Sequence, residues 1–179
     1  MTSETTRALP DRGSTAPSPS ALRSGLGLAG CIAVTAATGA LGALGSREAV
    51  TLYAAFDKPT WAPPAGVFGP VWSVLYLSMA VAAWLVIRRQ GWWAARRVLA
   101  VYAAQLIANA LWSWFFFAWR DGRAAFIDVL ILWVLVAATA FAFARVRRAA
   151  GLLLLPYLAW VSFASLLTLV VWRANPTLL

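Results

Sequence analysis

Long apolar runs alternate with short polar stretches along this chain. Five apolar blocks stand out, at about Ser24–Leu44, Val67–Ile87, Ala94–Ala118, Ala124–Ala144 and Ala149–Trp172. Each holds roughly 20 residues or more, enough at about 1.5 Å per helical residue to cross a hydrocarbon layer about 30 Å thick. The pattern predicts an all-α membrane protein, a bundle of five transmembrane helices with a long ordered first loop, in a domain covering residues 24–176. Residues 1–23 are rich in Ser, Thr, Pro and Arg, a composition that predicts a disordered tail. The first block resembles a signal peptide only superficially, because its apolar run exceeds the roughly 7–15 residues of such a segment.

Most connections between blocks are short, so consecutive helices are expected to be antiparallel neighbours. The stretch at 45–66 is the exception. It reads as an extended non-helical loop, yet it carries Tyr53, Phe56, Trp61 and several prolines. An aromatic loop of that length is expected to pack as a lid rather than to wander.

Composition sharpens the class. Of 179 residues, 62% are hydrophobic and 12% charged, whereas a soluble domain carries about 25% charge. The net charge of +9 does not mark a nucleic-acid binder, since the basic residues fall in the gaps between apolar blocks instead of on one face. Arg7, Arg12, Arg23, Arg88, Arg89, Arg96, Arg97, Arg145, Arg147 and Arg148 fall on one side of the expected bundle. Arg47, Lys58, Arg120, Arg123 and Arg173 fall on the other. The richer side is expected to be cytoplasmic, which puts the N-terminus inside and the first loop outside. A bacterial cell membrane fits the Ala- and Arg-rich composition. One cysteine, Cys31, rules out an intramolecular disulfide, and the absence of histidine removes the commonest transition-metal ligand. No metal or cofactor site is expected.

Polar groups inside a membrane call for a reason. Asp128 lies about one turn into the fourth block, expected as an anchor bonded to a tryptophan N–H or paired with Arg120 or Arg123. Gln105 and Asn109 share a face of the third block, Gln105 as a structural amide that bonds a neighbouring helix. Ala104 and Ala108 form a small-xxx-small pair for close packing in the bundle or in a homodimer. Pro156 is expected to kink the fifth helix.

The eleven tryptophans divide in two. Trp92, Trp93, Trp119 and Trp172 suit the interfacial belt. Trp72, Trp84, Trp112, Trp133 and Trp160 do not. By helical rise, Trp133, Trp160, Asn109 and Tyr76 reach about mid-bilayer, with Trp72 one turn above Tyr76. Rings and amides gathered at one depth suggest a pocket for a flat guest; packing of the bundle is the alternative.

The run Lys58-Pro59-Thr60-Trp61-Ala62-Pro63-Pro64, with Val67 to Tyr76 behind it, resembles the signature of the translocator protein (TspO/MBR) family, the tryptophan-rich sensory proteins. The likeness continues through Tyr102–Leu106, Asn109, Leu111-Trp112, Asp128–Trp133, Pro156–Trp160, Trp172-Arg173 and Asn175. It implies a five-helix bundle, often dimeric, with a ligand cavity opening toward the first loop. It also implies porphyrin or similar flat apolar ligands, a link to tetrapyrrole regulation or stress response, and pocket residues Trp61, Trp72, Tyr76, Asn109 and Trp160. Two departures stand out. Trp114 replaces a proline common in the family, which suggests a straighter outer half of the third helix, and no tyrosine stands in the few residues before Arg173, where the animal sterol pattern requires one. No catalytic motif is visible. A binding and regulatory protein is therefore expected, with transport of tetrapyrroles or other small apolar molecules, and oxidative porphyrin breakdown, as the alternatives.

Overall fold

The computed structural model describes residues 19–179, with side chains from residue 24 onward. The polar tail expected over residues 1–23 lies outside them up to residue 18, while 19–23 already belong to the first helix. Helix α1 spans Pro19–Gly45, and α2, a short helix, Ala49–Ala55. Then follow α3 (Phe68–Gln90), α4 (Trp92–Ser113), α5 (Gly122–Val146), α6 (Arg148–Leu152) and α7 (Leu155–Ala174). Among the described residues five helical stretches are long and apolar enough to cross a membrane, the last formed by α6 and α7 together, and there is no strand.

The reversals follow from local chemistry. Gly91 adopts φ +80°, which only glycine takes without a Cβ penalty, and its N–H caps the Ile87 carbonyl as α3 gives way to α4. Beyond Ser113 the third span widens into a π-helical turn over Trp114–Ala118, with the Trp119 N–H bonded to the Trp114 carbonyl. The expected straighter end is thus replaced by a local bulge, which places three consecutive phenylalanines, Phe115–Phe117, near the lid. Arg120 (φ +55°) turns the chain back, and the Asp121 carboxylate accepts from the Ala124 N–H at 2.8 Å to start α5.

The fifth span differs from its expected form. It breaks between α6 and α7, and Pro156 falls in the first turn of α7. There its missing N–H costs nothing, so Pro156 begins a helix instead of kinking one.

Helix α5 is central, packed against α4, α6 and α7, while α1 lies against α3 and α4 at the edge. Of the described α1 residues only Thr35, Gly42 and Gly45 are buried. The core between them is closed by Met79, Val86, Phe143, Leu154, Tyr157 and Val161, all almost fully buried. Near the lid, α5 begins hard against the end of α7: a Cβ on Gly122 would overlap the Trp172 ring. That contact holds the lid-side ends of these two helices together.

Candidate ligand-binding cavity

The first loop is ordered, and it is not wholly irregular. Its α2 segment and the 3₁₀ turn Ala65–Val67 frame a strap that carries its own hydrogen bonds. Lys58 Nζ donates to the carbonyls of Tyr53 (2.6 Å) and Phe56 (2.8 Å), capping α2 with a cation, and stands 5.0 Å from the Tyr53 ring centre. The Tyr53 hydroxyl donates to the Pro63 carbonyl at 2.8 Å. Asn175, just past α7, clamps the strap with two bonds: its Oδ1 accepts from the Asp57 N–H (2.9 Å) and its Nδ2 donates to the Asp57 carbonyl (3.0 Å). An exposed Arg120–Glu48 pair at 3.0 Å adds a weak third attachment.

Aromatic edges seat the strap. Tyr53 meets Phe68 (centroids 5.4 Å apart), Phe56 meets Phe116 (5.7 Å), and Trp61 meets Phe163 (5.8 Å), each close to perpendicular. Edge-to-face pairs of this kind contribute about 0.5–1.5 kcal/mol each beyond their buried area.

Under the strap lies a cavity of about 340 Å³, within the range of roughly 300–1,000 Å³ typical of small-molecule sites. Phe68, Trp72, Trp112, Phe116, Phe117 and Phe163 supply flat walls, and Leu167 and Val171 line it from α7. Helix α1 contributes Gly39 and Gly42, which have no side chain, and Ala43, with a single methyl, and these leave room. Among the described residues no Lys, Arg, Asp or Glu lines it, and the ionisable groups there are the phenols of Tyr53 and Tyr76.

The floor is a hydrogen-bonded chain across three helices. Tyr76 of α3 donates to Asn109 Oδ1 at 2.7 Å, and Asn109 Nδ2 donates to the Tyr157 hydroxyl at 2.9 Å. Both the oxygen and the nitrogen of the amide are thereby engaged, and the group carries no charge. Trp72 lies between the two phenols, 5.5 Å from the Tyr76 ring and 6.1 Å from that of Tyr157.

Of the residues singled out from the sequence, Trp72, Tyr76 and Asn109 line this cavity together. Trp160 and Trp61 stand one layer back: both pack on Phe163, and Trp160 also on Phe68. Trp133 is a correction. The residue is 39% exposed on the outer surface of α5, and its N–H donates to Ser162 Oγ at 2.8 Å. Depth placed it in the set, but depth does not fix the side of a helix.

The anchoring expected of Asp128 also differs. Arg120 pairs with Glu48, and Asp128 Oδ2 is buried with no hydrogen-bond partner among the described residues, as are the Trp112 N–H and the Gln105 side-chain carbonyl. Gln105 does reach a neighbouring helix, through its Nε2 to Met79 Sδ at 3.6 Å. Ala108 is buried within the bundle, with Ala104 half-buried beside it, so Ala108 serves close packing inside the molecule.

Phe68, Phe116, Phe163 and the α1 glycines were not marked as pocket residues by sequence reasoning. Single apolar residues in a wholly apolar helix carry no signal of direction. The one available cue, Gly39, Gly42 and Gly45 at intervals of three, marks a smooth face on α1.

Fold and cavity together define an integral, multi-pass membrane protein with an aromatic chamber closed by an ordered loop. Residues 31–173 match the model of the TspO/MBR family. The chain belongs to that family. It is 39% identical over 127 residues to "Tryptophan-rich protein TspO" of Chlorobaculum tepidum, covering 69% of this chain and 79% of that protein. It is also 39% identical over 130 residues to the "Translocator protein" of Homo sapiens (72% and 77%). Against the "Tryptophan-rich sensory protein" of Cereibacter sphaeroides it is 39% identical over 123 residues (69% and 76%).

Proposed function

We propose that this protein is a membrane receptor or regulator that holds a porphyrin or a similar flat, apolar molecule in the cavity beneath the first loop, linked to tetrapyrrole regulation or stress response. One observation carries this reading: the cavity is walled by aromatic rings and, among the described residues, by no charged side chain, while its central amide is engaged by two tyrosines. Such a chamber holds a guest by stacking and apolar contact. It has no strong acid, base or anchoring charge for bond-breaking chemistry, so binding is favoured over catalysis.

The seven arginines at the α3–α4 and α5–α6 connections, Arg88, Arg89, Arg96, Arg97, Arg145, Arg147 and Arg148, gather at the end of the bundle away from the lid. In our reading that end faces the cytoplasm of a bacterial cell, and the lid faces away from it.

Titration of the purified protein with protoporphyrin, followed by tryptophan fluorescence, tests the reading. Saturable quenching is expected. Trp72→Ala should weaken apparent affinity by about tenfold, the effect of roughly 1.4 kcal/mol of lost stacking. Linear, non-saturating quenching, or an affinity unchanged by the substitution, would contradict it.

A further inference from the structure

A second void lies on the outer side of the seam between α1 and α3, a groove of about 380 Å³. Ile32, Ala36, Ser73 and Leu77 form its mouth, and all four are exposed on the surface of the bundle. They lie in the membrane-crossing parts of their helices, so in a bilayer this mouth opens onto acyl chains, not water. By helical rise, Tyr76 sits about 12 Å from the start of α3, close to the middle of the hydrocarbon layer.

The groove shares its back wall with the inner cavity. Gly39, Trp72 and Tyr76 line both voids. The Tyr76 ring presses on α1 at Gly39, where an added Cβ would stand 2.9 Å from the ring. One neutral hydrogen bond, to Asn109, holds the Tyr76 hydroxyl. The groove's own hydroxyls are already engaged: Ser73 donates to the Gly69 carbonyl, and Thr35 is bonded to the Cys31 carbonyl and to Tyr102. The mouth therefore presents an essentially apolar surface, suited to a guest already dissolved in hydrocarbon.

We propose that this groove is the access site for the ligand, through which a flat apolar molecule passes sideways from the bilayer into the inner cavity, with the Tyr76 ring as the moving partition. The lid offers a poorer route. Lys58 and Tyr53 stiffen it from within, Asn175 clamps it to the end of α7, and it would require an apolar guest to leave the membrane first. The inference rests on reading the inner cavity as the ligand's resting place.

The test uses the full chain in phosphatidylcholine nanodiscs and protoporphyrin as probe, with exchange followed by stopped-flow tryptophan quenching. Ala36→Phe and Ser73→Leu each plug the mouth from a different helix and alter no residue that lines the inner cavity. Each is expected to slow association and dissociation alike by about tenfold, equivalent to roughly 1.4 kcal/mol of added barrier, with Kd unchanged. Tyr76→Phe, which removes the latch to Asn109, should quicken both rates, and Asn175→Ala, which loosens the lid, should leave them as they are. Wild-type rates in both plugged variants, or faster exchange in Asn175→Ala, would overturn the lateral route while leaving the cavity as the binding site. Absence of saturable quenching in the wild-type protein would remove the cavity reading, and the route with it.

Discussion

Asn109 shows how one polar residue can organise a membrane interior. Its amide accepts from Tyr76 and donates to Tyr157, tying α3, α4 and α7 at the cavity floor. With hydrocarbon rather than water around the bundle, a buried donor or acceptor without a partner has nowhere else to turn. Asn109→Leu keeps the bulk but strands both phenols. It is expected to destabilise the protein by about 1–3 kcal/mol per orphaned group, seen as a lower thermal midpoint in detergent. An unchanged midpoint would show that the floor contributes nothing to the bundle.

Trp72, Tyr76 and Asn109 were legible in the sequence because a polar or amphipathic group at mid-bilayer is costly and stands out against an aliphatic background. Trp133 was misplaced on the same logic, since helical rise gives depth but a lone indole carries no azimuth. The α1 glycines and Phe163 were invisible, because a cavity wall made of small or apolar residues looks like any other stretch of apolar helix.

At the scale of elements, the lid is the most informative part. Its aromatic and proline content announced an ordered loop, but not α2, which spans Ala49–Ala55. Seven residues are too few to form a stable helix alone. Lys58 capping and the seating of Tyr53 and Phe56 hold it, and these are tertiary contacts no local pattern displays.

The Asn175 clamp was equally hidden, joining residues 118 positions apart. Asn175→Ala should raise amide hydrogen exchange around Asp57 by roughly fivefold, the effect of about 1 kcal/mol of net hydrogen bonding, and mass spectrometry of the 57–63 segment would read it. Exchange at the wild-type rate would mean that the clamp does not hold the lid.

Burial pushes the Tyr53 phenol above its ordinary value of 10.0. The unfolded loop therefore ionises first, so the lid keeps its full stability below about pH 10 and loses it as pH rises beyond. Lid hydrogen exchange, corrected for its intrinsic pH dependence, should be flat from pH 6 to about 9 and climb above pH 10. A climb already present between pH 7 and 8 would contradict this account of Tyr53. Proline was a weaker guide. Pro156 reads as a kink in a continuous span, but the chain had already broken at Leu153 and Leu154, which made the first turn of α7 a natural place for it.

Across the whole molecule, five spans were readable because a helix of about 20 apolar residues crosses a bilayer with every backbone group satisfied within the segment. Membership of the TspO/MBR family agrees with that count. The chamber itself depends on how the spans lean together. Helix α1 offers a smooth glycine face, α5 and α7 close at Gly122 against Trp172, and the strap covers the space left between α1, α3, α4 and α7. The central claim is that a flat apolar guest occupies this space. Ala164 of α7 lines it, and Ala164→Phe would fill it from within. The decisive measurement is the Soret-band shift of protoporphyrin titrated against wild-type protein and Ala164→Phe of matched thermal stability. A saturable shift in the wild type that weakens at least tenfold in the filled variant is the expected result, whereas equal affinity in the two proteins would place the guest somewhere else.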